Sequence, residues 1–528
     1  MIVYDIIIAN GQIVDGSGKP AFQADLGIKD GKIASIGQLV GQEAQEQIDA
    51  TGMVVAPGFV DIHCHSDAVL FKTPREQSKI LQGVTTETIG NCGLSAAPVA
   101  LRTLDLLQKY TSSIFADGEM PWSWKTTGEF LECIEKRQTI SNVAALVGHG
   151  TVRIAAMGFD DRTPDAAEMA QMKQLVSESF SEGALGLSSG LIYPPGLFSQ
   201  TPEMTELCRI VAAAGGLYAT HMRNEGDRVI DSVQETIRVG LEAGVSVEIS
   251  HHKAAGPQNW GKVNQTLQLM SDASRQGLDI HCDVYPYAAS STVLGTVLPP
   301  WMQAGGSELL LQRLRDPANR ARIKKEFETG IPGWDRFITG SNWDCIMIAS
   351  CGVNHDCEGK TLAVLAAERN QEPAEALFDF MLEEQGNALM LAFLMCEADV
   401  STILRHPLSM VGSDAIPSAG KPHPRFFGTF SRILRKYVRE EKLLTLPEAV
   451  RKMSSLPAKK LGLRDRGLIQ IGMAADIAVF DPAVVTDHSQ YHDPCQYSTG
   501  MDTVLVNGRV VLREGQFTGV LAGQVLRK

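Results

Sequence analysis

The chain has 528 residues, of which 44% are hydrophobic and 21% are charged, as in an ordinary globular protein. This length allows one large domain together with a smaller one. The formal net charge is -13 and the sequence contains no run of Lys or Arg, which argues against a nucleic-acid or membrane-surface partner.

The N-terminus and the cysteines bear on the compartment. The first apolar run is interrupted by Asp5 and lacks a basic leader, so it does not resemble a signal peptide. No stretch reaches the roughly 18 apolar residues of a membrane helix. The 10 cysteines are scattered without CxxC pairs, as expected of reduced thiols. We therefore expect a cytoplasmic protein.

Both ends of the chain predict short β-strands separated by glycine turns. Asn10-Gly11, Asp30-Gly31 and Asn507-Gly508 are typical of hairpins. We expect residues 1–60 and 463–528 to form one small β-sandwich domain. Its strands are predicted over Asp5–Ile8, Gln12–Val14, Asp25–Ile28, Lys32–Ile36, Met53–Val55, Ala475–Phe480, Thr503–Val506 and Arg509–Val511.

The middle of the chain alternates short apolar runs with helical patterns, such as Ala166–Glu182, Arg228–Ala243 and Val263–Gln276. This alternation is typical of a parallel α/β architecture. Eight units predict a TIM-like (β/α)8 barrel over residues 61–462, with catalytic groups at the carboxyl ends of its strands. The strands are predicted over Gly58–His63, Thr85–Ile89, Val143–Val147, Leu185–Ser188, Leu217–His221, Val245–Ser250, Asp279–Val284 and Ser409–Asp414.

The interval between the seventh and eighth predicted strands is too long for a single helix. We expect an insertion there, near residues 299–357. Two helices should follow it, over Thr361–Arg369 and Pro373–Glu384.

Residues of metal-ligand type follow five of the predicted barrel strands. Alternate residues of a strand share a face, so His63 and His65 can point at one ion while Cys64 packs elsewhere. A histidine at one strand end is more often structural than a ligand, but five sites in barrel order predict a metal centre. Imidazole and thiolate favour zinc over magnesium or calcium. The other four strand ends carry Cys92, His221, His251 and Asp414.

Other histidines do not have ligand positions. His252 should face away from the barrel interior, and His149 is expected to be structural. No ligand spacing is evident at His281, His355, His406, His488 or His492.

These motifs resemble those of the amidohydrolase superfamily, and within it the N-acyl-D-amino-acid deacylases, or D-aminoacylases. The likeness extends over nearly the whole chain. Gly90-Asn91-Cys92-Gly93 and His251-His252-Lys253 are its most specific parts. The other matching segments are 58–67, 148–150, 188–193, 220–223, 285–287 and 412–414.

The resemblance implies zinc-dependent hydrolysis of the amide bond of N-acyl-D-amino acids. It implies one tight zinc position, and a weaker second position that shares the cysteine. Hydantoinases and dihydroorotases instead carry a carboxylated lysine at the end of strand 4, where this chain has Ser188-Ser189-Gly190. The implied ligands are Cys92, His221 and His251 for the first position, and His63, His65 and Asp414 with Cys92 for the second.

Asp414 is the candidate for proton transfer. A metal polarises an amide carbonyl and lowers the pKa of water, and Asp414 would then take a proton from that water and deliver it to the leaving nitrogen. Tyr193 is a candidate for stabilising the oxyanion. The alternative for Asp414 is a helix N-cap ahead of Ala415.

A substrate with a free α-carboxylate needs a cationic pocket. Lys253 shares the inward face with His251 by strand parity, and the resemblance adds Arg425, Tyr285 and Ser291. Arg425 can offer a planar fork to a carboxylate. The alternatives are a surface ion pair for Arg425 and a core aromatic for Tyr285.

The preferred side chain and the class of reaction are less well defined. The stretch 292–303 contains no Lys or Arg, so a neutral or apolar side chain is favoured over D-Glu or D-Asp if this stretch lines the pocket. A cyclic amidase and a non-catalytic scaffold on the same fold are the alternative functions. The missing strand-4 lysine argues against the first, and the complete set of candidate ligands argues against the second. The expected partner is a small N-acyl amino acid.

Overall fold

The structure is a computed structural model that describes residues 3–72, 76–112, 114–115 and 120–528. Eight parallel strands form its central barrel, in the chain order that the sequence predicts. Backbone hydrogen bonds close the ring between strands 8 and 1, since Asp414 N donates to His63 O at 2.7 Å and His65 N donates to Ala415 O at 2.9 Å. In chain order the barrel strands are Phe59–Asp61, Val84–Ile89, Asn142–Gly148, Gly186–Gly190, Leu217–His221, Ser246–Ile249, Ile280–Val284 and Ser409–Val411.

Helices connect the barrel strands, and the three predicted between strands 3 and 7 are present with small shifts at their ends. Asp165 begins the first of them as its N-cap, in a reciprocal capping box with Glu168. None of the helices in the described part of the chain is long and apolar enough to cross a bilayer. The helices outside the insertion are Val69–Lys72, Leu104–Thr111, Thr127–Arg137, His149–Met157, Ala166–Ser181, Thr201–Ala213, Val229–Ala243, Val263–Arg275, Glu397–Arg405, Arg425–Arg432, the π-helix Ile433–Glu440, Leu446–Met453 and Ser455–Lys460.

Strands from both termini form a separate nine-stranded sheet, which confirms the predicted small β domain. Val54–Pro57 and Ile477–Phe480 pair antiparallel at the junction of the two terminal segments. Buried aliphatic residues from both segments, including Ile28 and Val479, share one core cluster. The remaining strands are Tyr4–Ile13, Phe22–Lys29, Lys32–Gly37, Ala44–Asp49, Met501–Val506, Arg509–Arg513 and Gln516–Phe517.

One predicted hairpin is wrong. Asn10-Gly11 lies within the continuous strand Tyr4–Ile13, where the register shifts as at a β-bulge. Asn10 has a left-handed φ of 62°, and Gly11 faces Val55 so closely that an added Cβ would lie 2.5 Å from Val55 Cγ2. The same dipeptide composition therefore serves a bulge as well as a turn.

The insertion between barrel strands 7 and 8 contains its own antiparallel sheet, which begins before the predicted residue 299. Ala388–Ala392 is the central strand and pairs with Ser290–Val293 and Ile346–Cys351. The sheet and its helices enclose a core of their own. The insertion helices are Pro300–Gln303, Ser307–Leu314, Pro317–Thr329, Leu362–Arg369 and Pro373–Glu383.

The last described strand returns to the barrel. Val525–Leu526 pairs in parallel with Val143 and Ala144 of strand 3, whereas the sequence assigns residues 463–528 to the β-sandwich. Gln524 O also accepts from Val143 N at 2.9 Å. This pairing gives backbone groups of strand 3 hydrogen-bond partners in addition to those from the neighbouring barrel strands.

A buried ionic group joins the first and last barrel strands below the mouth. Asp61 accepts from Ser413 N at 2.9 Å, and Ser413 Oγ donates to the same carboxylate at 2.5 Å. Lys79 forms an ion pair with Asp61 and donates to Ser413 Oγ at 2.7 Å. All three side chains are buried, so the carboxylate holds strand 8 against strand 1 through charge-assisted hydrogen bonds.

We expect Asp61→Ala to destabilise the barrel by about 3–5 kcal/mol, because it leaves the buried Lys79 ammonium without its counter-ion. The matched control is Asp5→Ala, which removes a part-exposed pair with Lys29 and should cost at most about 1 kcal/mol. Differential scanning calorimetry at one scan rate compares the two variants. Equal melting temperatures for both would contradict the proposed role of Asp61 in ring closure.

Candidate active site

The thiol of Cys92 lies between two histidines at the carboxyl end of the barrel. Its Sγ is 3.3 Å from His63 Nε2 and 3.5 Å from His251 Nε2, and all three side chains are buried. Burial opposes ionisation, but the imidazoles of His63 and His251 hold the pKa of the Cys92 thiol well below its usual range. The environment therefore favours the thiolate, which is the form that binds metal ions.

The carboxylate of Asp414 contacts His63 and His65, which follow barrel strand 1. Its Oδ1 lies 3.2 Å from His65 Nε2 and 3.4 Å from His63 Nε2. Its Oδ2 lies 2.8 Å from Arg425 Nη1. Although Asp414 is buried, these neighbours, above all Arg425, hold its pKa well below the usual range. Asp414 is thus an ionised carboxylate inside the barrel mouth rather than a helix cap.

His221 lies next to His251 at the carboxyl end of the barrel. The two rings are 4.3 Å apart between centroids. Among the described residues, His221 Nε2 is buried without a hydrogen-bond partner, and it lies 3.7 Å from Glu225 Oε2. A buried polar atom left in this state is costly unless it coordinates a ligand.

Four groups of side chains among the described residues are compact enough to hold a metal ion, and two of them contain His251. One contains His63, Cys92, His251 and Asp414, and in each group all the ligand atoms lie within 4.8 Å of one another. The second contains His221, Glu225 and His251, so His251 belongs to both. Imidazole, thiolate and carboxylate donors together suit zinc. His65 is not a member of the first group, but it contacts Asp414, which is.

The backbone at three of these positions is left-handed. Cys92, His251 and Asp414 have φ values of 54°, 38° and 47°, in a region that costs non-glycine residues about 1–3 kcal/mol each. The turn at Cys92 also requires Gly190 beside it, since a Cβ at residue 190 would lie 2.1 Å from Cys92 O. The fold therefore holds strained backbone at the ends of strands 2, 6 and 8, where the side chains meet.

Two carboxylates that the sequence analysis did not select orient the histidines. Asp283, at the end of strand 7, lies with Oδ2 3.1 Å from His63 Nδ1. Glu225 Oε1 lies 3.0 Å from His251 Nδ1 and 2.7 Å from Lys253 Nζ. Such contacts fix the tautomer and direction of a ligating imidazole. The only sequence signal for Glu225 is its position four residues after His221.

The predicted carboxylate-binding residues surround a buried guanidinium. Arg425 is fully buried, with 0% exposure, which excludes a surface ion pair. It donates from Nη2 to the backbone oxygen of Ser291 at 3.2 Å, and it lies 4.7 Å from the ring centroid of Tyr285. Within the described structure, Arg425 Nε has no hydrogen-bond partner. Tyr285, Ser291 and Lys253 line the same cavity as Asp414.

Tyr193 forms part of the wall beside His221. Its hydroxyl lies 2.8 Å from Thr292 Oγ1 and 3.4 Å from His221 Nδ1. Burial raises its pKa well above the ordinary value, so Tyr193 stays protonated and can act as a hydrogen-bond donor. Thr292 is the only member of the stretch 292–303 among the residues that line this cavity.

Apolar side chains that the sequence did not single out complete the cavity. They come from loops distant in sequence, and Phe337 comes from the insertion. No polarity or spacing signal in the sequence marks them. The apolar lining residues are Leu94, Ile114, Ile192, Phe337 and Ile416.

Two of the histidines set aside in the sequence make structural contacts, and a third belongs to a group of ligand-type side chains that the sequence did not reveal. His149 Nε2 contacts Glu203 at 2.8 Å, and His252 Nε2 contacts Thr266 Oγ1 at 2.7 Å. Both contacts are structural, and neither involves the candidate metal ligands at the carboxyl end of the barrel. His355 is grouped with Cys351 and Glu358 on the insertion, although its own side chain is largely exposed.

Known proteins share both the sequence and the architecture. The chain is 36% identical to the D-aminoacylase of Alcaligenes xylosoxydans xylosoxydans over 529 residues, covering 99% of this chain and 98% of that protein. It is 37% identical to the N-acyl-D-aspartate deacylase of the same organism, covering 99% and 95%. Both likenesses extend across the barrel and the terminal domain.

Solved structures give the same result. The N-acyl-D-glutamate deacylase from Bordetella bronchiseptica, crystallised with zinc and a phosphonate mimic of the tetrahedral intermediate, matches with a TM-score of 0.85 at 36% identity and covers 100% of both chains. The L-hydantoinase of Arthrobacter aurescens, at 17% identity and a TM-score of 0.56, shares only the fold. The model of the amidohydrolase family matches residues 46–512. The chain belongs to the amidohydrolase family.

Proposed function

We propose that this protein is a zinc-dependent deacylase of N-acyl-D-amino acids. The observation that carries this function is the position of Asp414, which contacts His63 and His65 on one oxygen and Arg425 on the other. This arrangement supports the proposal that Asp414 accepts a proton, because its carboxylate lies between zinc-type ligands and the Arg425 guanidinium. The full-length relatives named D-aminoacylase and N-acyl-D-aspartate deacylase support the same activity and the D configuration.

The residues proposed to hold zinc are Cys92, His221 and His251 at a tight position, with His63, His65 and Asp414 at a weaker one that shares Cys92. When bound, zinc supplies a Lewis acid that polarises the amide carbonyl and lowers the pKa of water. The buried His221 Nε2, without a hydrogen-bond partner in the described structure, fits such a role. In this proposal, the Cys92 thiolate binds the metal in place of the carboxylated lysine that cyclic amidases carry on strand 4.

Asp414 is proposed to move the proton. Its ionised carboxylate takes a proton from the water that attacks the carbonyl, and delivers it to the nitrogen as the C–N bond breaks. Tyr193 donates a hydrogen bond toward the developing oxyanion beside His221. The products are a carboxylate from the acyl group and a free D-amino acid.

Arg425 is proposed to bind the substrate α-carboxylate, together with Lys253, Tyr285 and Ser291. Arg425 Nε is a buried donor that lacks a protein acceptor among the described residues. Arg425 does not line the cavity itself, but it contacts Ser291 and Tyr285, which do. Lys253 lines the same cavity and adds positive charge. The substrate is thereby held by the end that does not react.

The side chain of the amino acid is proposed to be apolar. Ile192, Phe337 and Ile416 line the cavity around the reacting centre. Lys253 is the only Lys or Arg among the described lining residues, and its Nζ already pairs with Glu225. A second carboxylate, as in D-glutamate or D-aspartate, would be buried without a partner, which is strongly unfavourable.

Strand 4 argues against the alternative function of a cyclic amidase. Gly186–Gly190 contains no lysine, so a carboxylated lysine cannot bridge two metals there. A non-catalytic scaffold is disfavoured because Asp414 and all the candidate ligands converge. The soluble compartment proposed from the sequence, the cytoplasm, rests on the sequence features alone.

Asp414→Asn should lower kcat for N-acetyl-D-leucine by about 10²–10⁴-fold, because an amide cannot accept the proton of water. Zinc content, measured by plasma emission spectroscopy, shows whether the site is still loaded. Asp160→Asn, at an exposed carboxylate, is the matched control and should retain wild-type kcat. Wild-type turnover by zinc-loaded Asp414→Asn would disprove the proton-transfer role.

Arg425→Met should reduce the ratio of kcat/KM for N-acetyl-D-leucine to that for N-acetyl-D-leucinamide by about 10- to 100-fold, because only the acid uses the charge-assisted bond. The ratio cancels any general effect of the lost contact with Asp414. Arg432→Met on the same helical segment is the control, since Arg432 bonds Pro286 O and Asp487 rather than Ser291 O and Asp414. An unchanged ratio in Arg425→Met would place carboxylate binding elsewhere.

N-acetyl-D-leucine and N-acetyl-D-methionine should be hydrolysed with kcat/KM at least about 10-fold above that for N-acetyl-D-glutamate, given the cost of burying an unpaired charge. Parallel steady-state assays with the L enantiomers establish the configuration. A preference for D-glutamate or D-aspartate would overturn the apolar assignment while leaving deacylation intact.

A further inference from the structure

A second cavity adjoins the catalytic one. Its volume is about 160 Å³, and its outer rim carries the exposed ion pair of Lys109 with Glu308. The interior is apolar, with aliphatic and aromatic side chains from the loop after strand 2, from two barrel helices and their following turns, and from the insertion. The apolar lining residues are Leu94, Leu106, Ile114, Phe159, Val293 and Leu310.

The two cavities share one wall. Leu94, Ile114 and Tyr193 line both of them. Tyr193 is the same residue whose hydroxyl approaches His221. Val293 follows Thr292 directly in the chain. Val293 lines the second cavity, whereas Thr292 lines the catalytic one. A ligand at the zinc-type ligands would therefore need to pass only this wall, at Tyr193, to reach apolar surroundings.

The chemistry of the substrate decides which part of it reaches this cavity. In an N-acyl amino acid, the α-carboxylate and the side chain are both attached to the α-carbon, on the nitrogen side of the scissile bond. The acyl chain lies on the other side, beyond the carbonyl. Tyr285 and Ser291 line the catalytic cavity but not the second one, so a substrate whose carboxylate lies beside them presents its acyl chain to the second cavity.

Building on the proposed deacylase activity, we infer that the second cavity is an acyl-chain site and that the enzyme prefers substrates with a medium-length fatty acyl group, such as N-octanoyl-D-amino acids. The reaction is unchanged in its balance. Water adds to the carbonyl carbon, the C–N bond breaks, and the products are a fatty acid and the D-amino acid. Contact with Leu106, Phe159 and Leu310 gives a long chain the apolar surroundings that an acetyl group is too short to reach.

The test is a chain-length series on one amino acid, from N-acetyl- through N-butanoyl- and N-hexanoyl- to N-octanoyl-D-leucine, with the zinc-loaded full chain. Burial of apolar surface predicts that kcat/KM increases by about three- to fourfold for each methylene that enters the cavity. A value that is flat or decreasing from acetyl to octanoyl would overturn the acyl-site inference. Failure to hydrolyse every member of the series would instead overturn the deacylase function itself.

Leu106→Trp tests the location, because the larger ring reduces the space in the second cavity. It should lower the ratio of kcat/KM for octanoyl to that for acetyl by at least about 10-fold. Leu101→Trp is the matched control, since Leu101 is 67% exposed and is not among the residues that line the cavity. It should leave the ratio at the wild-type value.

Phe159→Ala provides the opposite change, since it enlarges the cavity, and it should move the optimum toward longer chains such as decanoyl. Turnover of N-acetyl-D-leucine in each variant reports whether the protein has folded. An octanoyl-to-acetyl ratio that is insensitive to both Leu106→Trp and Phe159→Ala would show that the acyl chain lies elsewhere.

Discussion

Closure of the parallel ring is the constraint on which the site depends. Strands 1 and 8 are the shortest in the barrel, with three residues each, so few backbone hydrogen bonds join them. Asp61 adds bonds to the backbone and hydroxyl of Ser413, immediately before Asp414. The Asp61 carboxylate, which helps to close the barrel, therefore also sets the position of Asp414, the proposed proton acceptor, relative to His63. The residues that close the ring and those proposed to react are neighbours in sequence.

The order of the barrel strands was predictable from the sequence because each strand is a short apolar run with its own local signal. The ends of the strands were less predictable. Predicted strand 8 continues to Asp414 but the strand stops at Val411, since Asp414 has a left-handed φ. The insertion sheet also gave little signal, because Ser290–Val293 and Ala388–Ala392 pair across nearly a hundred intervening residues. Local pattern does not encode such long-range pairing.

The candidate site was predictable where chemistry requires particular residue types. Cys92, His221 and His251 have distinctive side chains at strand ends, and the structure brings them to one place. Glu225 was missed because a glutamate in a loop is ordinary in composition, and its position between His251 and Lys253 becomes visible only in three dimensions. Phe337 was missed for a similar reason, since an aromatic residue in an insertion has no periodicity that relates it to the barrel.

The shared guanidinium of Arg425 has a consequence for how substrate range can change during evolution. One nitrogen contacts Asp414 and another bonds Ser291 O, so the proposed recognition of the anionic end and the lowered pKa of Asp414 both depend on a single side chain. A lineage that loses recognition of the substrate α-carboxylate by replacing this arginine also alters the environment of Asp414. Drift toward neutral substrates should therefore require paired substitutions, whereas drift among side chains or acyl groups can proceed one residue at a time.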